Sequence, residues 1–380
     1  MKIAFFLPDL RVGGAERATL TVAGALQERG FDVELVLGNE LGELSNAVPA
    51  GVQLVDLNCV NARTSKIIFG IQILFKLSYY IKSVKPAIFF STIVGANIVS
   101  IFAKIIFRFK DTKFVVRDSC SQAQVASIFK KLVLRKLYPL ADAHIAISKT
   151  IKRDLTNYFN VDEATIYKIS NPVDVKRVLT LSKMDIGFRC PLDTNVPLVV
   201  SVGRLCAEKA FDYLIKEFHK VVNQVDARLV IVGEGEGRGQ LEKLIVGLGI
   251  QSKVHLIGAA ENPYPYFSAA DLFVLSSRSE GFPNVLLEAL CLEVPIVSTN
   301  CVSGPAEILD NGKFGKLVTC DEPGSLANAM LEELTQKLDK TSGYIERALL
   351  YSVDAIAEKY LLLIHALTID KVQLGPSISV

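Results

Sequence analysis

Residues 271–290 read Asp271-Leu-Phe-Val-Leu-Ser-Ser-Arg-Ser-Glu280-Gly-Phe-Pro-Asn-Val-Leu-Leu-Glu288-Ala-Leu290. Asp271 to Ser277 is an apolar run with a small polar end, the pattern of a strand buried on both faces. Val285 to Leu290 read as a helix opened by Pro283 and Asn284, residue types that favour helix starts. Glu280 then lies in the loop at the carboxyl end of a strand, and Glu288 lies one to two turns inside the next helix. Between them, Gly281 and the first-turn amides form an anion-binding end, reinforced by the helix dipole. Carboxylates for hydroxyls on either side of amides for phosphates suit a sugar nucleotide. The competing reading is a strand–loop–helix with two incidental glutamates.

The same alternation runs through the chain. Strand patterns fall near residues 3–7, 33–37, 53–57, 87–91, 113–117 and 143–147, with a short one at 166–170 before the turn Asn171-Pro172-Val173-Asp174. A second series falls near 197–202, 228–232, 254–257, 272–275, 296–298 and 315–318, with helices between. Strands alternating with helices imply parallel sheets, and 380 residues are enough for two domains. The expected fold class is α/β, two Rossmann-like doubly wound domains facing a cleft. Residues 1–175 form the first domain, the breaker-rich 176–196 a linker, 197–341 the second domain, and 342–380 a closing helix or helices and tail, packing back toward the first domain. Ligands in such sheets bind at the carboxyl ends of the strands.

Half the residues are hydrophobic and 22% are charged, ample for buried sheets. Met1 to Pro8 reads as a first strand, too short for a secretory signal. Seven scattered cysteines without a CxxC pair favour free thiols in a reducing cytosol. The four histidines are too dispersed to suggest a metal site. Net charge is only +2, yet residues 1–175 carry +7 and 176–380 carry −5. The basic half also holds the most apolar helical stretches, 66–85, 98–110 and 128–138. None has the ~18 uninterrupted apolar residues of a membrane span. Basic and apolar residues on one helix suit peripheral contact with an anionic membrane. The alternative is that the apolar faces cover the sheet and the lysines are solvated.

Three more turns follow strand ends. Gly13-Gly14-Ala15-Glu16 opens a helix, and paired glycines let backbone amides approach a ligand closely. Gly203-Arg204-Leu205-Cys206-Ala207-Glu208-Lys209 carries a planar cation and a compact one, able to hold a diphosphate without a metal. Equally, these could pair with Glu208 or Asp212. Ser303-Gly304-Pro305-Ala306-Glu307 is a further glycine turn on the same side, more simply read as an ordinary loop.

Gly203-Arg204-Leu205 with Lys209, Val232-Gly233-Glu234-Gly235, the stretch from Glu280 to Ala289 and the one from Ser303 to Leu309 occur in an order and spacing that resemble a known family. That family is the retaining family-4 glycosyltransferases of the GT-B fold (glycosyl transferases group 1). Gly13 to Glu16 and Asn171 to Asp174 fit the same family. The resemblance implies that Glu280 lies near the donor sugar hydroxyls and reacting face, and that Glu288 binds the ribose. Arg204 and Lys209 would hold the diphosphate, with Gly281, Phe282, Pro283, Asn284 and Val285 supplying the helix end. Gly13 and Gly14 would lie near phosphates and acceptor on an acceptor-side first domain, and Gly258 near the nucleobase. Ala210 stands where many relatives have glycine, and Ala306 where an arginine is frequent. A histidine common at the end of the strand near 113–117 is absent, and Val116-Arg117-Asp118-Ser119 stands there. Asp118 is placed either for a polar role on a bound sugar or as a helix cap.

The implied function is retaining transfer of a hexosyl group from a nucleoside-diphosphate sugar, UDP-linked, to a hydroxyl of a lipid-linked saccharide. Cell-envelope polysaccharide, lipopolysaccharide or capsule synthesis at the cytoplasmic membrane face fits that picture. No Asp-x-Asp metal triplet occurs, and no metal, other cofactor or nucleic acid is expected. The rivals are a sugar-nucleotide epimerase of the same fold and a non-catalytic nucleotide- or carbohydrate-binding subunit.

Overall fold

The computed structural model describes residues 1–11, 13–39, 42–59, 66–184, 196–336 and 341–368. The chain divides into two compact units, Met1–Pro172 with the segment from Val353 onward, and Val173–Ser352.

The first unit holds a parallel sheet of seven strands: β1 Lys2–Leu7, β2 Asp32–Leu37, β3 Gln53–Asp56, β4 Ile88–Thr92, β5 Lys113–Asp118, β6 Ala143–Ala146 and β7 Ile166–Lys168. Their order is β3-β2-β1-β4-β5-β6-β7. Alternate side chains of β1 feed two different cores, as the period of a strand requires. Phe5 stacks on Phe90 at 4.8 Å beside Leu26 and Tyr360, while Phe6 faces Phe89, Phe114 and Leu77 on the other side. Apolar residues on both sides of every central strand explain the unbroken runs seen in the sequence.

The second unit holds a parallel sheet of six: β8 Leu198–Val202, β9 Arg228–Val232, β10 Val254–Gly258, β11 Leu272–Leu275, β12 Ile296–Thr299 and β13 Lys316–Val318, in the order β10-β9-β8-β11-β12-β13. In each sheet the strand order reverses beside the first strand, between β1 and β4 and between β8 and β11. Such reversals open a crevice at the strands' carboxyl ends.

The connections between units differ from the sequence reading. Val175–Leu181 is a helix of the second unit, capped by the Asp174 carboxylate, which accepts from the Arg177 N–H at 2.9 Å. The expected linker is thus helical in its first part, and residues 185–195, with Cys190, lie outside the described residues. The closing segment divides as well. The helix Tyr344–Leu349 stays in the second unit, whereas Val353–Thr368 inserts Ile356, Tyr360, Leu363 and Ile364 into the core of the first. Among the described residues, no helix is long and apolar enough to cross a membrane.

Candidate active site

The loop after β8 is fixed by the loop after β9. Gly203 N–H donates to the Val232 carbonyl at 3.0 Å, Leu205 N–H to Glu234 at 2.8 Å, and Gly237 N–H to Leu205 at 2.9 Å. Leu205 is buried in the core beneath. Backbones this close leave no room for side chains. A Cβ on Gly233 would lie 1.9 Å from the Gly203 oxygen, and one on Gly235 would lie 2.4 Å from that of Leu205.

The loop ends at Lys209, whose Nζ donates to Glu280 Oε1 at 2.6 Å. Ser277 Oγ donates to the same oxygen, also at 2.6 Å. The Lys209 side chain is 24% exposed and that of Glu280 10%, so this pair is far better shielded than a surface salt bridge. The two residues are 71 positions apart and meet because β8 and β11 are neighbours at the strand-order reversal. Arg204 is exposed and makes no ion pair among the described residues.

Arg278 ties this corner together. Its guanidinium bonds both Asp212 oxygens at 3.0 and 3.1 Å, Asp321 at 2.8 and 3.1 Å, and the Ala207 carbonyl at 3.0 Å. Its backbone N–H donates to Glu208 at 2.8 Å. Burial pushes the Asp212 carboxyl up, but the Arg278 bonds outweigh it and hold Asp212 below the usual carboxylate range. Bonds to Asp212 and Asp321 push the guanidinium pKa up in turn. Loops after three strands, β8, β11 and β13, are therefore clamped by one side chain. Sequence reading passed over Arg278, although its place two residues before Glu280 was visible.

The helix Asn284–Cys291 starts where the sequence placed it, with Pro283 at its N-cap. Its lead-in is locked by the loop after β12. Ser303 Oγ donates to the Gly281 carbonyl at 2.9 Å, and Gly304, at φ +98°, lies against Pro283 so closely that a Cβ would come within 2.5 Å of its ring. The Ser303-Gly304 turn is thus a buttress for the helix tip. Phe282 is buried against Tyr351 at 5.5 Å. Glu288 is half-buried, with the Tyr264 hydroxyl 3.5 Å from Oε1. Gly258 ends β10 at φ +84°, and its carbonyl accepts from Gly233 N–H at 2.9 Å.

Ala210, directly after Lys209, adopts the left-handed conformation (φ 51°, ψ 40°) that glycine adopts freely, and its methyl is fully buried. Left-handed geometry costs an L-residue roughly 1–2 kcal/mol, comparable to the gain from burying one methyl. Ala210→Gly is therefore expected to stay within about 1 kcal/mol of the native stability. Ala210→Val, β-branched and overpacked in the same conformation, should lose roughly 3 kcal/mol or more. Denaturant melts of both variants check the pair.

In the first unit, Gly13 caps the helix Gly14–Glu28. The Glu16 carboxylate folds back under it, so that a Cβ on Gly13 would lie 2.2 Å from Oε2. Burial pushes the Glu16 carboxyl pKa up. Gly14 differs: a Cβ there would meet nothing within 4 Å.

Asp118 is the last residue of β5 and caps no helix. It is 4% exposed, accepts from the Tyr138 hydroxyl at 2.7 Å, and has His144 Nδ1 3.6 Å from Oδ2. His144 Nε2 lies 3.0 Å from the Tyr138 carbonyl. Burial and Asp118 together push the Tyr138 hydroxyl pKa well up. Asp118 therefore anchors β5 to β6 inside the unit. A histidine does stand beside it, delivered by the neighbouring strand in the register Val116↔His144. Arg117, next to it, is also buried and bonds Asn171 Oδ1.

Comparison with known proteins fits this geometry. Residues 196–336 match the model of glycosyl transferases group 1, and residues 12–177 match that of glycosyltransferase family 4. The chain is 29% identical over 342 residues to N-acetylgalactosamine-N,N'-diacetylbacillosaminyl-diphospho-undecaprenol 4-alpha-N-acetylgalactosaminyltransferase of Campylobacter jejuni, covering 87% of this chain and 90% of that one. A second transferase of that organism, GalNAc-alpha-(1->4)-GalNAc-alpha-(1->3)-diNAcBac-PP-undecaprenol alpha-1,4-N-acetyl-D-galactosaminyltransferase, is 27% identical over 376 residues, 96% of this chain and 98% of that one. The fold matches Anabaena Alr3699/HepE, solved with UDP and glucose, at a TM-score of 0.78 and 18% identity over 96% of this chain and all of that one. A pair of Rossmann-like parallel sheets carrying these motifs defines a glycosyltransferase of the GT-B type. Within that class the chain belongs to glycosyltransferase family 4, the glycosyl transferases of group 1.

Proposed function

We propose that the protein transfers a hexosyl group from a UDP-sugar to a hydroxyl of a lipid-linked saccharide, with retention at the anomeric carbon and without a metal ion. The observation that carries this reading is the Lys209–Glu280 pair at the strand-order reversal, beside the tip of the helix Asn284–Cys291. In this reading the second unit holds the donor. Glu288 receives the ribose hydroxyls and the backbone near Gly258 the base. Arg204, Lys209 and the backbone from Gly281 to Val285 neutralise the diphosphate, and Glu280 faces the hexose. The first unit, through Gly13 and Gly14, serves the acceptor side. Asp118 has no contact with substrate in this scheme.

Bond breaking places negative charge on the departing phosphate oxygen, which takes the acceptor proton as the acceptor oxygen attacks the same face. Arg204, exposed and without a salt bridge among the described residues though Glu236 and Glu208 lie within reach of its charge, is available to that phosphate. Lys209 is held by Glu280 until the phosphate competes for its protons. Preorganised cations of this kind stabilise the developing charge without reorganisation. Supporting the donor class, HepE was solved with UDP-glucose. Supporting the acceptor class, the two Campylobacter relatives are named for substrates on diphospho-undecaprenol or PP-undecaprenol. Envelope polysaccharide or lipopolysaccharide assembly is the corresponding setting.

The test is a thermal-shift panel of UDP-, GDP- and ADP-hexoses. The best donor is then incubated with undecaprenyl-diphosphate-linked saccharides in the presence of a chelator, and the product's anomeric coupling is read by NMR. Expected is chelator-resistant transfer with the donor's configuration kept. An inverted product, or epimerised donor formed without acceptor, would contradict the proposal.

The glycine pair adds a sharper check. Gly14→Ala should not lower the melting temperature, because the chain leaves that position open, while lowering kcat/KM by about tenfold or more if a substrate approaches the backbone there. Gly13→Ala should lower the melting temperature by displacing Glu16. Melts and initial rates on both variants separate the two roles.

A further inference from the structure

At the carboxyl end of β5 a small cavity is lined by Asp118, Cys120, Ser121, Gln122, Tyr138 and Asp154, and by apolar side chains of the helix Lys149–Phe159. It has room for one water-sized ligand, too little for a sugar. Two of its acceptor oxygens, Asp118 Oδ2 and Gln122 Oε1, have no hydrogen-bond partner among the described residues, and their side chains are 4% and 6% exposed. Gln122 spends its amide nitrogen on Cys120 Sγ at 2.8 Å, so its oxygen is the atom left over. The charges are as unbalanced as the hydrogen bonds. Asp118 Oδ1 accepts from the Tyr138 hydroxyl at 2.7 Å, and Asp154, also 4% exposed, accepts from the Ser121 hydroxyl. Both donors are neutral. His144 Nδ1, 3.6 Å from Asp118 Oδ2, is beyond hydrogen-bond reach. Neither carboxylate has a lysine or arginine at ion-pair distance among the described residues. The Cys120 thiol reports the same field: burial first and the Asp118 charge next push its pKa up, against a weaker pull from Lys130 outside the cavity.

We propose that this cavity binds one monovalent cation, potassium or sodium, held by Asp118 Oδ2 and Gln122 Oε1, with Asp154 supplying the second negative charge. Oxygen donors of this kind suit hard cations. No group of three acidic, histidine or cysteine side chains placed to hold a metal occurs among the described residues, so the donor set is too weakly charged for a structural divalent ion. A water would complete the two hydrogen bonds but leave two carboxylates without a counter-charge, and a buried charge is costly unless paired. The ion joins β5 to the short helix Gln122–Val125 and, through Asp154, to the helix Lys149–Phe159. It thereby orders the turn at the crevice end of the first sheet. The inference does not rest on the transfer reaction, and the metal-free handling of the diphosphate stays as proposed.

The test melts the full chain in the chlorides of potassium, sodium and N-methyl-D-glucamine at equal ionic strength, without donor or acceptor. At about ten times its dissociation constant the bound ion should raise the melting temperature by roughly 3–6 °C over the organic cation. The larger of the potassium and sodium shifts identifies the ion. Amide hydrogen exchange in that salt should slow most at residues 118–125 and 149–159. Asp154→Asn keeps an acceptor for the Ser121 hydroxyl, and Gln122→Met keeps the side-chain length without the oxygen. Each should abolish most of the shift, with circular dichroism verifying that the variant is folded. Equal melts in all three salts would mean that water fills the cavity, and the proposal falls. It falls equally if both folded variants keep the shift. Should a variant fail to fold, the exchange map of the native chain decides, and protection centred on other segments overturns the site.

Discussion

Arg204→Ala/Lys209→Ala should lower kcat by roughly 10³–10⁵ in the best donor–acceptor pair, as each lost cation of this kind costs about 10²–10³ and the two act on one diphosphate. The single variants differ in a way that separates chemistry from scaffolding. Arg204 is exposed and makes no ion pair among the described residues, so its loss should leave the melting temperature unchanged while kcat falls. Lys209 neutralises a carboxylate that is only 10% exposed. Its removal leaves Glu280 with Ser277 as donor, and an uncompensated, shielded charge typically costs on the order of 1–3 kcal/mol. Lys209→Ala should therefore lose both rate and stability, and Lys209→Ala/Glu280→Gln should regain stability without regaining rate. Initial rates beside thermal melts read both quantities. Near-native turnover in the double cation variant would remove the electrostatic assignment altogether.

The class of fold was legible because parallel strands covered on both faces must be continuously apolar. Strand identities therefore survived from pattern to structure. The candidate site residues stood out for a different reason: Glu280, Glu288, Arg204 and Lys209 lie in or beside turns whose glycines and prolines mark strand ends. Their pairing was not legible. Lys209 meets Glu280 across a crossover that makes β8 and β11 neighbours, and a one-dimensional pattern does not encode that adjacency. The surroundings of Asp118 were not legible for the same reason. Its position at a strand end was legible, but not that the register of β6 brings His144 against it and the Tyr138 hydroxyl closes over it. The helix Val175–Leu181 is a different kind of miss. Asp174 was read as part of a turn, although an Asp ahead of an apolar-periodic segment is also a helix cap, the role its carboxylate has here.

Gly233→Ala should cost more than any other single methyl in the second unit, and the reason runs from one atom to Lys209, the proposed diphosphate-binding lysine. At φ +152° the backbone is already where a side chain is disfavoured, and the added Cβ would overlap the Gly203 oxygen at 1.9 Å. That oxygen belongs to the loop that leads from β8 to Lys209, and backbone on both sides has no flexible end to yield. Either the β9 loop or the β8 loop must move, breaking the Leu205–Glu234 and Gly237–Leu205 hydrogen bonds. Strain and lost bonds together amount to roughly 3 kcal/mol or more, a fall in melting temperature of about 6–12 °C. Activity measured well below that melt should fall by about 10² as well, because a shift of order 1 Å takes Lys209 off the proposed diphosphate position. Gly239→Ala is the paired control. That glycine lies in the helix Arg238–Gly247, where an added Cβ would meet nothing beyond the helix itself within 4 Å, so alanine should raise the melting temperature by roughly 1–4 °C and leave the rate unchanged. If Gly233→Ala melted like the native chain and kept its rate, the contact between the two loops would not be what positions Lys209.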